Sequence, residues 1–113
     1  VDFQVVELGP SANKIVLAGR LDSSTVGKIE IPFTASVASA GRSAVLDLTG
    51  LEFLSSLGIR LLLSNAQVVT RRGGRVVAFG AQPAVAEVLT AMALDALLPL
   101  VTTEDEAVAR LAA

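Results

Sequence analysis

Residues 45–62 read VLDLTGLEFLSSLGIRLL, and the fold turns on them. An apolar run, Val45 to Leu48, closes in Asp47-Leu48-Thr49-Gly50, which reads as turn punctuation. A Ser55-Ser56 pair then opens a strongly apolar helical pattern. Ile59, Leu62, Leu63, Ala66 and Val69 form one stripe, widened by Leu57, Leu61 and Val68, and Gly73-Gly74 ends it as a left-handed cap. The reading is a strand, a short loop and a helix from Ser56 to Arg71. Two hydroxyls then sit at the positive end of a helix dipole, beyond the carboxyl end of a strand. An anion or a phosphoryl group suits that place.

Upstream, Phe3–Leu8 and Lys14–Ala18 read as strands of a hairpin broken at Gly9-Pro10-Ser11. Val26, Ile29, Phe33 and Val37 recur at helical spacing, which predicts a helix over about 24–39 with Pro32 inside it. Asp22, Ser23 and Ser24 are its candidate caps. Ala44–Leu48 is a short apolar strand. Downstream, Arg75–Gly80 is a buried strand, and Pro83 with Val85, Val88, Leu89 and Met92 marks a third helix. Leu97–Val101 is a last short strand or extended segment. Thr103 with Glu106 forms a capping box for a terminal helix through Leu111.

The order β-β-α-β-α-β-α-β-α predicts one α/β domain over residues 1–113, with a mixed, mostly parallel sheet of four to five strands and about four helices.

Composition narrows the chemistry. Of 113 residues 52% are apolar and 18% charged, which fits a core-rich globular chain. There is no Cys and no His, so thiol chemistry, the usual zinc and haem ligand sets and a Ser-His-Asp triad are absent. The net charge of −2, with no Trp or Tyr, argues against a nucleic-acid surface. Arg71-Arg72 with Arg75 is too small a basic cluster to alter that. No apolar run reaches the roughly 18 residues of a membrane span. Asp2, Glu7, Glu30, Glu52, Glu87, Asp95 and Glu104–Glu106 form no acid/base pair. The expectation is a chain without catalytic residues, metal ligands or cofactor, located in the cytoplasm and not inserted in a membrane, its oligomeric state unread.

Asp47-Leu-Thr-Gly50, Phe53-Leu-Ser-Ser-Leu-Gly-Ile59, Gly73-Gly-Arg-Val76 and Gly19-Arg-Leu-Asp22 together resemble a STAS domain. Within that family they are similar to the stand-alone antagonists of bacterial anti-sigma factors. The resemblance implies a partner switch. A kinase-type anti-sigma factor phosphorylates the first serine after the strand, the unmodified form binds that kinase and frees the sigma factor, and a phosphatase resets it. Carried over, the acceptor is Ser55, with Ser56 as the alternative, and Asp22 and Asp47 match acidic positions flanking the site. Partner contacts are expected at Asp22, Asp47, Ser55, Ser56, Leu57, Gly58, Arg60 and Leu61. Many switched members carry Asp before the acceptor serine and Gly after the pair, where this chain has Leu54 and Leu57.

Plainer roles stand beside these. Ser55 or Ser56 suits an N-cap, Asp22 another cap, and Asp47 an Asx tie on the Thr49-Gly50 turn. Leu57 and Leu61 suit either core or an exposed patch, and Gly58 suits close approach by a partner or by the neighbouring strand. The other functional readings are an unphosphorylated scaffold subunit of a stressosome-like or lipid-transport complex and a small nucleotide-binding domain.

Overall fold

A computed structural model describes residues 1–92 and 97–112. Five strands form one sheet in the order β1-β2-β3-β4-β5. β1 (Asp2–Glu7) pairs antiparallel with β2 (Ala12–Leu21). β3 (Ser43–Leu54), β4 (Val76–Phe79) and β5 (Leu100–Val101) continue in parallel. The helices are α1 (Val26–Ser36), α2 (Ser56–Arg71), α3 (Pro83–Ala91) and α4 (Glu104–Ala112). None of the described helices is long and apolar enough to cross a membrane. The expected element order and mixed sheet are those observed. Of the acids read in the sequence, Asp95 lies outside the described residues.

Strand order that follows chain order, joined by right-handed crossovers, puts α1, α2 and α3 on one face. The core agrees: Ile29, Phe33 and Val37 join Ile59, Leu61, Leu62, Ala66 and Val69, with Val85 and Leu89, over Ile15, Leu17, Leu46 and Ala78. Successive strand residues point to opposite faces, so Val45 and Val77 fall in a second cluster with Phe79 and Ala107 of α4. α4 covers that other face, and its Glu104 takes the Lys14 ammonium at 2.9 Å. The Thr103 hydroxyl caps α4 through the Glu106 amide at 3.2 Å.

α2 has the bounds its sequence predicts. Gly73, at φ +88°, closes it, with the amides of Gly73 and Gly74 returning to Thr70 O and Val69 O.

Several elements differ from expectation; β5, for one, is strand only at Leu100–Val101 of the expected Leu97–Val101. β2 is ten residues long where five were expected. β3 runs twelve residues, through the stretch expected to be loop. Asp47, Thr49 and Gly50 are turn-forming residue types, but here they build bulges in a continuing strand. Ala18 faces Gly50, Arg20 faces Phe53 and Leu21 faces Leu54, with register shifts between. A Cβ on Gly50 would lie 2.9 Å from the Ala18 Cβ, so a small residue is needed where the bulged strand closes on its neighbour. α1 is shorter than the expected 24–39 because Asp22–Thr25 form a separate capping turn. Pro32 lies inside α1, and the helix continues to Ser36.

Met92, one of the residues that mark the third helix in the sequence, is 53% exposed. It stands at the helix C-cap, past the last inward turn.

Candidate partner-binding site at the carboxyl ends of the central strands

β2 and β3 finish side by side, and the Ser55 amide donates to Leu21 O at 2.9 Å. That bond carries the chain from the strand into α2. Ser55 is the N-cap, with extended backbone (φ −86°, ψ 172°), and its Oγ accepts from the Gly58 amide at 3.3 Å. The first turn of α2 rests on the end of β2. A Cβ on Gly58 would meet Leu54 Cδ1 at 2.8 Å and Leu21 O at 2.9 Å. Glycine is therefore required there by the neighbouring strand.

The two serines are thus inequivalent. Ser55 is half-buried, with its oxygen turned back to the helix amides, while Ser56 is exposed at the first helical position. Leu57 follows at 43% exposure. Ser56 and Arg60, one turn apart, line a groove of about 380 Å³ with Ile59, Leu63, Gln67 and Met92.

Asp22 stands at the end of β2, beside this corner. Its Oδ1 accepts from the Ser24 hydroxyl (2.7 Å), the Ser24 amide (3.0 Å) and the Thr25 amide (3.2 Å). These bonds close the turn that leads into α1, whose N-cap, Thr25, makes no side-chain cap bond of its own. The Ser24 hydroxyl, with the other donors and against a smaller effect of desolvation, holds the carboxyl below its ordinary value. A carboxyl so lowered contributes stability above its unfolded pKa of about 3.9, and that contribution is lost as pH falls through the lower folded value. In a carbon-detected NMR titration Asp22 should therefore titrate below the ordinary aspartate range, and Ser24→Ala should move it upward. An unmoved Asp22 in that variant would contradict the capping assignment.

Two further residues complete the corner. The Arg20 guanidinium lies 4.2 Å from the centre of the Phe53 ring, and its Nε is 3.6 Å from Asp22 Oδ2. Phe53 is 39% exposed. Sequence reasoning missed both, because their facing positions exist only once 49–54 is strand. The apolar run Leu51, Phe53 and Leu54, broken only by Glu52, was the available signal.

Three expected contact residues move out of the surface. Asp47 lies up the strand: Val16, its partner in β2, is five residues before Leu21, a rise of about 17 Å. It binds the Thr49 amide (3.0 Å) and hydroxyl (2.7 Å), the Asx role, and does not flank the serines. Leu61 is 6% exposed and packs in the core, because the wide apolar stripe of α2 also faces α1. Gly58 is buried beneath the turn. Among the described residues no group of three or more acidic, His or Cys side chains converges as a metal site would need.

The family model described as "Mlab, STAS domain" matches residues 5–102. The chain belongs to the STAS domain family. Among its relatives is BtrV of Bordetella bronchiseptica, named as a candidate anti-sigma factor antagonist. It is 29% identical over 93 residues, covering 82% of this chain and 80% of that protein. Among solved structures, an anti-sigma factor antagonist from Mycobacterium paratuberculosis superposes with a TM-score of 0.87 at 24% identity, covering 99% of this chain and 94% of that one. The unphosphorylated form of the anti-sigma factor antagonist SpoIIAA gives 0.80 at 24% identity, with 98% and 96% covered. At such identities the structural likeness establishes the STAS fold, and the geometry of the serine corner is this chain's own.

Proposed function

We propose that this STAS domain is an anti-sigma factor antagonist that works in the cytoplasm by partner switching, with Ser56 as its phosphoacceptor. The observation that carries the proposal is the exposed Ser56 hydroxyl at the first turn of α2, followed by exposed Leu57 and, one turn on, exposed Arg60, with the exposed Arg20–Phe53 pair near the ends of β2 and β3. The unmodified corner binds a kinase-type anti-sigma factor. A phosphoryl group adds about −1.5 to −2 charges. The helix N-terminus tolerates that charge, and Arg60 lies four residues on, the spacing at which an anion and a following cation attract. The fold is therefore kept while the docking surface changes sign. A phosphatase resets it.

The choice of Ser56 over Ser55 rests on two supports. The Ser55 oxygen already serves as the cap, whereas Ser56 is open to a kinase. The resemblance also supports it once aligned on Gly58, which packing fixes in place. An Asp-Ser-Ser-Gly pattern set on Gly58 puts Ser55 where Asp stands, and an Asp there would cap the helix equally well. Ser56 then takes the place of the first serine and Leu57 that of the second.

Incubation with a kinase-fold anti-sigma factor from the same host and ATP should add one phosphate, and peptide fragmentation should place it on Ser56. A chain that stays unmodified while binding the same partner would instead act as a constitutive scaffold subunit, and the switching proposal would fail.

A further inference from the structure

The pole opposite the serines is basic. Five of the nine Lys and Arg residues lie at or beside the amino ends of β3 and β4: Arg42, Arg71, Arg72, Arg75 and Arg110. Arg72 spends its guanidinium on Val37 O, Ala38 O and Arg42 O, fastening the end of α1. Arg42 bonds to Gly9 O at 3.3 Å and faces Glu7 at 3.9 Å. Arg75 and Arg110 are different. Their side chains make no hydrogen bond or ion pair among the described residues, yet both line one cavity of about 260 Å³.

Elements distant in sequence build that cavity. Thr70 comes from the last turn of α2, Gly73-Gly74 from its closing turn, Leu97 and Pro99 from the approach to β5, and Arg110 from α4. Val76 and Val77 contribute from β4. Arg110 also lines the adjoining cavity with Thr90. Two like charges held against one concavity repel, in a chain that carries more acids than bases overall. An oxyanion between them would convert the repulsion into two charge-assisted contacts, and guanidinium groups match carboxylate and phosphate oxygens in paired geometry.

We infer that the Arg75–Arg110 cavity is an oxyanion-binding site, for a phosphoryl or carboxylate group, separate from the serine corner. Thr70 and the apolar Val76, Val77, Leu97 and Pro99 also line it, and about 260 Å³ leaves room for a group larger than the anion alone. It is independent of whether Ser56 is ever modified.

The test is a two-dimensional amide NMR titration of the whole chain with sodium phosphate and, separately, sodium acetate, at constant ionic strength balanced with chloride. Saturable shifts should concentrate at Gly73, Gly74, Arg75, Val76 and Arg110, with a Kd of about 1 mM for the preferred anion. Saturation by phosphate alone identifies a phosphoryl ligand, and saturation by acetate as well identifies a carboxylate-tolerant site. Arg75→Gln and Arg110→Gln should each weaken binding at least about fivefold, while Arg20→Gln leaves it unchanged. Unsaturable shifts, shifts spread equally over Arg20 and Lys28, or binding that survives the Arg75→Gln/Arg110→Gln double variant would overturn the inference.

Discussion

Gly58→Ala should destabilise the domain by about 2 kcal/mol, seen as a fall of about 1–2 M in the midpoint of urea unfolding. Helix propensity alone gives the opposite sign, since Ala exceeds Gly by about 1 kcal/mol inside a helix. Packing wins here because the new methyl would stand 2.9 Å from the Leu21 carbonyl oxygen and 3.0 Å from Leu21 Cγ. Backbone cannot yield as a side-chain tip can. That carbonyl also accepts the Ser55 amide, so pushing α2 away disturbs the hydrogen bond that ends the strand. Gly27→Ala in α1 is the control. No atom lies within 4 Å of its Cβ position, and it should stabilise by about 0.5–1 kcal/mol. Equal effects at the two glycines would refute the packing account.

The second large effect is on binding. Ser56→Asp should weaken the complex with the kinase-fold partner at least about a hundredfold, or about 2.7 kcal/mol. A carboxylate on the exposed first turn has to be desolvated when a partner covers Leu57 and Phe53, and that cost falls on the complex alone. The isolated domain should keep its melting temperature, because an anion at a helix N-terminus is favourable. Ser56→Ala should bind as the native chain does yet accept no phosphate. Ser55→Ala separates the two serines: it should cost about 1 kcal/mol of stability through the lost cap and still permit modification at Ser56. A kinase that modifies Ser56→Ala but not Ser55→Ala would reverse the assignment.

Much of this was legible in the residues. The ends of α2 were legible because both carry chemistry: a serine oxygen for the free amides at one, a left-handed glycine at the other. The all-buried β4 was legible because four consecutive apolar residues between Gly74-Arg75 and Gly80 leave little choice. β3 was cut short because Asp47-Leu-Thr-Gly50 has the composition of a turn, and only the partner strand reveals a bulge. The same error hid Arg20 and Phe53, whose contact depends on register, and it drew Asp47 into a site that lies about five β2 residues away. The roles of the two serines could not be separated from sequence, since either hydroxyl suits a cap. The structure makes Ser55 the cap, and the proposal of Ser56 as acceptor builds on that.

The most direct test compares the affinity of the kinase-fold anti-sigma factor for unmodified chain and for chain carrying phosphoserine at position 56, by titration calorimetry. The account predicts binding that weakens at least about a hundredfold on phosphorylation while circular dichroism and melting stay the same. Equal affinities for the two folded forms would contradict it.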